Sequence, residues 1–285
     1  MEVIFHSDID QFSDLCFPFL LRNEAENNLL LGILNNLKIN PQTYSEEHGP
    51  TLISITEKGV LKLVSIRTPP FNQVISYTEN LATIPFLVEE LSNKTPEIPG
   101  ILGFKEGALK FGQLWTKKHS KALHLEMHER VYQLEEVNPI TLGSHEFEPA
   151  TEADKQIIIE WTKAFIQEAI PTNSPPEEVT MQKRIDKAIE GRMVYILKVN
   201  DEVVSMAKKA GITPNGQTIN DVYTPPNQRK KGYGTEVVAK LSQTILDEGK
   251  KYCFLFTDLA NPTSNRIYQR IGYKPIIDID VYLFH

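Results

Sequence analysis

The segment VYTPPNQRKKGYGT, residues 222–235, decides the fold of this 285-residue chain. The apolar run 219–223 predicts a strand, which the two prolines at 225 and 226 end because proline cannot donate a ladder hydrogen bond. A short basic loop with two glycines then leads into a predicted helix over 235–247, whose apolar residues recur at helical spacing. The first amides of a helix are unpaired and its dipole adds partial positive charge there. The segment therefore predicts a pyrophosphate-binding loop.

The identity of this loop follows from what it contains and what it lacks. Val237 stands where the dinucleotide fingerprint G-x-G-x-x-G needs its third glycine, and no Gly-Lys-Ser/Thr of a Walker loop occurs in the chain. What remains is Arg-x-x-Gly-x-Gly, formed by Arg229, Gly232 and Gly234. This pattern resembles the acetyl-CoA loop of the GCN5-related N-acetyltransferases (GNATs). One departure is Lys230, where glycine is common in the family.

A second motif follows the loop at the distance that the family shows. Residues 252–257 are rich in aromatic residues and predict a strand. The family then places an asparagine seven residues before a tyrosine in a helix that ends in Gly-Phe/Tyr, and Asn261, Tyr268, Gly272 and Tyr273 match this pattern. Taken without the resemblance, Asn261 is a helix cap and Tyr268 a core residue. Both motifs in order favour the GNAT interpretation.

The resemblance implies a site and a reaction. Acetyl-CoA is the expected co-substrate, and an amine acceptor attacks its thioester directly. Tyr268 is expected to protonate the departing thiolate. Asp221 is a candidate general base; the alternative is that it is solvated at the end of the sheet without a catalytic role. The residues expected to bind the cofactor are Val222, Tyr223, Thr224, Arg229, Lys230, Lys231, Gly232, Tyr233, Gly234, Thr235, Asn261 and Asn265. A CoA-sensing or interaction module without turnover is the alternative, which the retention of Tyr268 disfavours.

The composition limits the class of protein and the partners that are expected. The chain is 41% hydrophobic and 24% charged, as expected of a soluble globular protein, and no apolar run approaches the ~20 residues of a membrane span. A net charge of −7 argues against general affinity for nucleic acid. The N-terminus lacks the features of a signal peptide, and Cys16 and Cys253 form no spacing motif, which indicates reduced thiols. We expect a cytoplasmic monomer or homodimer that acts on an amine of unknown identity.

Residues 139–285 are predicted to form a catalytic GNAT domain with a mixed α/β sheet. A strand at 140–147 and a capping box from Thr151 to Asp154 open this half. The remaining predicted elements are a helix after 154, a loop at 171–176, a helix at 177–189, strands at 193–199 and 203–210, and the elements of the two motifs. This order is similar to the GNAT fold from end to end.

Residues 1–138 have a related rhythm, which predicts a second, degenerate GNAT-like domain in tandem with the first. The predicted elements are a helix at 20–37, strands at 52–56, 60–66 and 73–77, and helices at 80–92 and 105–117. Only Thr78 and Glu79 stand where the glycine loop would be, so no second pyrophosphate site is expected. This half is interpreted as scaffold and acceptor wall, with an unrelated α/β domain as the alternative.

His124 and His128 are a candidate pair of metal ligands. On a strand the two histidines would lie about 13 Å apart and could not share an ion, whereas on a helix they could. No third ligand is visible, so no metal is expected.

Overall fold

The computed structural model of the chain describes residues 1–39, 49–95, 97–169 and 178–285. These residues form one twelve-stranded mixed sheet with helices on both faces. The strands are β1 (Glu2–His6), β2 (Thr51–Glu57), β3 (Val60–Arg67), β4 (Gln73–Ile75), β5 (Gly100–Phe104), β6 (Leu123–Leu134), β7 (Glu146–Pro149), β8 (Val194–Val199), β9 (Glu202–Ile212), β10 (Gly216–Tyr223), β11 (Tyr252–Asp258) and β12 (Lys274–Phe284). The helices are α1 (Ile9–Leu21), α2 (Asn28–Ile39), α3 (Thr83–Lys94), α4 (Lys105–His119), α5 (Lys155–Ala169), α6 (Glu178–Glu190), α7 (Tyr233–Asp247) and α8 (Pro262–Ile271).

The chain repeats one order of elements. Each half runs strand, two helices, three strands, helix, strand, helix, strand, so that β1 to β6 correspond to β7 to β12. In each half the fourth and fifth strands pair in parallel, β4 with β5 and β10 with β11, while the other pairs are antiparallel. The N-terminal half therefore repeats the element order and the strand pairing of the C-terminal half.

The two halves exchange their last strands. The sheet order is β1-β2-β3-β4-β5-β12-β6-β11-β10-β9-β8-β7, so β12 lies between β5 and β6, and β6 lies between β12 and β11. Side-chain pairs cross this central junction: Arg130 contacts Asp278 at 2.6 Å, and His128 hydrogen-bonds Asp280. Neither half holds its last strand in a continuous sheet without the other.

This exchange predicts that the C-terminal half cannot fold by itself. A fragment of residues 139–285 lacks β6 and would expose the edges of β11 and β12, which invites aggregation. We expect the fragment to be unfolded or aggregated alone and to become folded when it is co-expressed with residues 1–138. Circular dichroism and size-exclusion chromatography check this, and a folded monomeric fragment would show that the exchange is dispensable.

Helix α2 belongs to the N-terminal half but packs on the sheet of the C-terminal half. A Cβ atom on Gly32 would lie 3.1 Å from the α carbon of Gly211, so the helix and β9 approach as closely as their backbones allow. Asn28 accepts a hydrogen bond of 3.1 Å from the Thr218 hydroxyl, and the carboxylate of Glu24 accepts two from Asn215. The N-terminal half thus covers part of the C-terminal sheet.

Several predicted elements differ from the structure in the N-terminal half. The helix predicted at 20–37 is two helices, because Asn27 in the turn between them donates to the Leu20 carbonyl and accepts from the backbone of Tyr77. The strand predicted at 73–77 ends at Ile75, and α3 begins at Thr83 rather than at residue 80. Strands β1 and β5 and helix α1 are not predicted from the sequence patterns.

The strand predicted at 140–147 is wrong over most of its length. Residues Pro139–Thr141 form a 3-10 turn and β7 begins only at Glu146. Gly143 has a φ of +56°, and the backbone and ring of His145 both hydrogen-bond Glu236 of α7, so the segment wraps around that side chain. The capping box is present, with the Thr151 amide donating to Asp154 at 2.8 Å. The predicted loop at 171–176 and residue 177 lie outside the described residues.

None of the helices in the described ranges combines the length and apolar character that crossing a membrane requires.

Cys16 and Cys253 are both free and buried, and burial raises the pKa of each thiol to about 12. Neither thiol is ionised at neutral pH, which makes both poor nucleophiles.

Candidate active site

The sheet opens where β10 and β11 separate. These parallel strands pair only over Gly216–Thr218 and Tyr252–Phe254, and their C-terminal ends then diverge. On its other side, β10 loses regular register with β9 between Asn220 and Tyr223. A β-bulge of this kind turns backbone groups away from the ladder. The result is a cleft between two strand ends that is lined by main-chain atoms.

The glycine loop lies at the mouth of this cleft. Gly232 has a φ of +91° and a Cβ placed there would meet no atom within 4 Å, so the backbone is open to an approaching group. Within the described residues, the backbone N–H groups of residues 230–234 donate to no protein acceptor, and the first paired amide is that of Thr235, which donates to Gly232. Successive free amides at a helix start form a concave anion site. The loop has the geometry that phosphate binding requires.

The Arg229 side chain hydrogen-bonds neighbouring groups of the protein and is not free on the open side of the loop. Its Nε donates to the Thr224 carbonyl at 2.8 Å and its Nη2 contacts Glu168 of α5 at 2.6 Å. The hydroxyl of Tyr223 donates to the same carboxylate at 3.2 Å. Arg229 and Tyr223 therefore brace the loop against α5, and the free backbone amides are the better phosphate ligands.

In the corresponding turn of the N-terminal half, side chains cap two of the backbone amides. Thr78 and Asn80 accept hydrogen bonds from the amides of Asn80 and Ala82, at 3.0 and 3.1 Å. The space beside the parallel strands is filled as well, since a Cβ on Gly107 would lie 2.4 Å from the Phe104 ring. Polar side chains thus cap part of this turn, and the Phe104 ring fills space at the end of β5.

Asp221, the predicted base, already has a partner. Its carboxylate forms an ion pair with Lys208 on β9, and its backbone has a φ of +47° within the irregular part of β10. The catalytic role of Asp221 stays a prediction, with Lys208 occupying its carboxylate in this structure.

The two asparagines after β11 differ in whether their side-chain N–H groups are free to bind a ligand. Asn261 caps α8 by accepting from the Ser264 amide at 3.1 Å, and its own N–H groups have no acceptor among the described residues. Asn265 donates to the carbonyls of Asp258 and Asn261 and accepts from the Tyr132 hydroxyl at 3.1 Å. Only Asn261 is left with donors for a bound ligand.

Tyr268 lies on α8, with its ring in the core between α7 and the sheet. The side chain is 9% exposed, and its ring contacts those of Tyr132 and Tyr273 at centroid distances of 6.5 and 6.0 Å. Burial raises the pKa of Tyr268 to about 12, although a hydrogen bond with Ser264 opposes this shift. The phenol is therefore protonated at neutral pH.

Comparisons with known proteins identify the architecture. Residues 197–282, which contain the splayed strands, the glycine loop and α8, match the family model of FR47-like proteins. A GCN5-related N-acetyltransferase from Sphaerobacter thermophilus superposes with a TM-score of 0.64 over 98% of this chain and 94% of that one, at 10% identity. The chain has the GNAT fold. A search of curated proteins finds no match.

Other solved structures show that the GNAT fold extends over both halves. A Drosophila protein superposes with a TM-score of 0.68 over 99% of this chain and 98% of that one, at 12% identity. A tandem GNAT protein from the clavulanic acid biosynthesis pathway covers 100% of this chain and 98% of its own, with a TM-score of 0.56 and 9% identity. At these identities the likeness establishes the fold, and the repeated order of elements explains why it spans the full length.

A groove of about 790 Å³ runs between helix α2 and the sheet of the C-terminal GNAT unit. Asn220 of β10 and Phe256 of β11 line it, and both lie beyond the residues that pair these two strands with each other, so the groove reaches the splay. Other lining residues are Asn28, Asn35, Arg192 and Gln217. The sequence analysis did not identify them, because they surround the site only after α2 has crossed to the other half.

The histidines considered for metal binding lie on strand β6 and not on a helix. Their separation along an extended strand prevents them from sharing one ion, and the His128 ring hydrogen-bonds Asp280 instead. In the part of the chain that the structure describes, no group of three or more His, Cys, Asp or Glu side chains is placed to hold a metal.

Proposed function

We propose that the protein is an acetyl-CoA-dependent N-acetyltransferase that transfers the acetyl group to a primary amine of a small molecule or protein. The observation that carries this proposal is the row of free backbone amides at residues 230–234, at the mouth of the splay between β10 and β11. Amides at a helix start bind phosphate, and a cleft lined by main-chain groups accommodates an extended arm such as pantetheine. The match of residues 197–282 to the FR47-like family supports the same conclusion.

The chemistry follows from this placement. The pyrophosphate contacts the loop from Lys230 to Thr235, and the thioester enters the splay. A backbone amide in the irregular stretch Val222 to Thr224 stabilises the oxyanion that forms as the amine attacks, because a fixed dipole needs no reorganisation during the reaction. Asn261 contributes its free amide N–H groups to the pantetheine arm. Tyr268 protonates the CoA thiolate as it departs.

The acceptor is proposed to bind in the groove below α2. The groove meets the splay at Asn220 and Phe256, so an amine lying in it approaches the thioester from the side opposite the glycine loop. The N-terminal half then serves as scaffold and acceptor wall. We place the reaction in the cytoplasm, in a monomer or homodimer with no nucleic-acid partner, consistent with the net charge of −7.

Ligand binding is the first test. Acetyl-CoA at a hundred times its Kd will raise the free energy of unfolding by about 2.7 kcal/mol, since it binds only the folded state. NAD and ATP at equal concentration will raise it far less, and calorimetry will find one CoA per chain because the N-terminal loop is capped. Equal stabilisation by all three ligands, or two CoA molecules per chain, would refute the proposed site.

Turnover separates the enzyme from a binding module. An amine panel with release of the CoA thiol as the readout will show acceptor-dependent acetyl transfer. Tight acetyl-CoA binding without thiol release for any amine would instead favour a CoA-sensing module.

A further inference from the structure

Glu129 on strand β6 faces the end of the splayed strand β11. Its α carbon pairs directly with that of Asp258, the last residue of β11. Beyond Phe254 the other edge of β11 is unpaired and borders the splay. Only one strand, about 5 Å wide, therefore separates Glu129 from the cleft, a distance that a glutamate side chain and one water molecule span.

Glu129 also lies on the groove side of the sheet. Directly opposed residues of an antiparallel pair project to the same face, so Glu129 shares its face with Asp258. Phe256, two residues before Asp258, lines the groove and projects to this face as well. Glu129 thus lies on the same face of the sheet as Phe256, one strand away from the splay.

No cation neutralises this carboxylate. Within the described residues Glu129 forms neither an ion pair nor a side-chain hydrogen bond, although it is partly buried. Burial, followed by the nearby charge of Asp258, raises the pKa of Glu129 to about 7. A carboxyl group with this pKa exchanges protons readily at neutral pH.

The other charged groups near Glu129 are committed elsewhere. On β12 its partner is Ile279, which carries no charge. The adjacent pairs of the junction, Arg130 with Asp278 and His128 with Asp280, alternate onto the opposite face of the sheet. Lys105 at the start of α4 acts on Asp278. Helix α4 contacts β6 at Leu123, the first residue of the strand, against which Gly112 packs. Asp258 is thus the charged group that faces Glu129 from the strands beside it.

We propose that Glu129, supplied by the N-terminal half through the exchanged strand, is the general base of acetyl transfer. This inference rests on the proposed function. The amine nitrogen forms a bond to the thioester carbonyl carbon, and the carbon–sulfur bond breaks. The proton lost by the attacking nitrogen passes to the Glu129 carboxylate, directly or through one water, while the departing CoA sulfur takes a proton from Tyr268. Asp258 is a positioning residue that tunes the basicity of Glu129.

The test uses the full chain with acetyl-CoA and the best amine from the panel. Glu129→Gln keeps the shape of the side chain but cannot accept a proton, so kcat/KM will fall about 10²-fold or more with acetyl-CoA affinity unchanged. Hydroxylamine is largely neutral at pH 7 and needs less help from a base, so its rate will fall much less. The control Glu135→Gln makes the same change at an exposed position in the same half of the chain and will keep wild-type rates.

The pH dependence distinguishes a base from a structural residue. Only the ionised form of Glu129 accepts a proton, so wild-type kcat/KM will rise with pH through about 7. Glu129→Gln will lose this inflection. Asp258→Asn keeps the oxygen that accepts from the Ala260 amide but removes the charge, and will move the inflection to lower pH. A structural role would leave the inflection in place in both variants.

A binding-independent measurement completes the test. In protein labelled at the glutamate carboxyl carbons, one resonance will titrate near pH 7 and will be missing from Glu129→Gln. A Glu129 resonance that titrates near 4.3, or Glu129→Gln with unchanged kcat/KM and inflection, would overturn the assignment while leaving the transferase proposal intact. Absence of turnover by the wild type with every amine would overturn both, so the two failures are distinguishable.

Discussion

Gly232→Asp will abolish measurable acetyl-CoA binding while the protein remains folded. The new carboxylate would stand among the free amides of residues 230–234, where the pyrophosphate is proposed to bind. Two like charges about 4 Å apart repel by about 1–4 kcal/mol at effective dielectric constants between 80 and 20, and a pyrophosphate carries more than one charge. We therefore expect Kd to rise by at least about 100-fold. Isothermal calorimetry with acetyl-CoA measures this directly.

The fold will tolerate this substitution. A Cβ at Gly232 meets no atom within 4 Å, although its φ of +91° imposes some strain on any L residue. Gly232 is also the N-cap of α7, a position where aspartate and asparagine both stabilise a helix. Gly232→Asn is thus a matched control with the same shape and strain but no charge, and will lose much less affinity. Normal acetyl-CoA binding by Gly232→Asp would place the pyrophosphate elsewhere.

Tyr268→Phe will lower kcat by about 10²-fold or more with little change in acetyl-CoA affinity. The substitution keeps the ring, which packs against Tyr132 and Tyr273, and deletes only the hydroxyl. If that hydroxyl protonates the departing thiolate, the interaction exists mainly in the transition state, so its loss appears in kcat. Melting temperature, acetyl-CoA Kd and kcat are to be measured on the same preparation.

Tyr273→Phe is the matched control for this result. Tyr273 belongs to the same cluster, is 2% exposed, and donates its hydroxyl proton to Ser242 at 2.8 Å, which is a structural contact. Its loss will cost about 1 kcal/mol of stability and leave turnover per folded molecule unchanged. If Tyr268→Phe behaves in the same way as Tyr273→Phe, Tyr268 is a core residue and the thiolate takes its proton from another donor.

The sequence by itself was sufficient for the fold and for the glycine loop, because the features that define them are local. Two glycines after a strand, the cap at Asn261 and the left-handed Gly272 each depend on residues within a few positions. The same reasoning predicts that Thr78 and Glu79 do not form a second loop, and side chains cap two amides of that turn. It failed at 140–147, where Glu236, almost a hundred residues away, draws the backbone out of a strand.

Only the tertiary structure decided how the site is assembled. The exchange of β6 and β12 arises from pairing between strands about 150 residues apart, which no local pattern encodes. That exchange brings Glu129 beside Asp258, while the register of β9 and β10 pairs Asp221 with Lys208. Which carboxylate has a cation beside it and which has none depends on these long-range contacts. The sequence therefore determined the glycine loop, and the tertiary structure determined which acidic residues have a cation beside them.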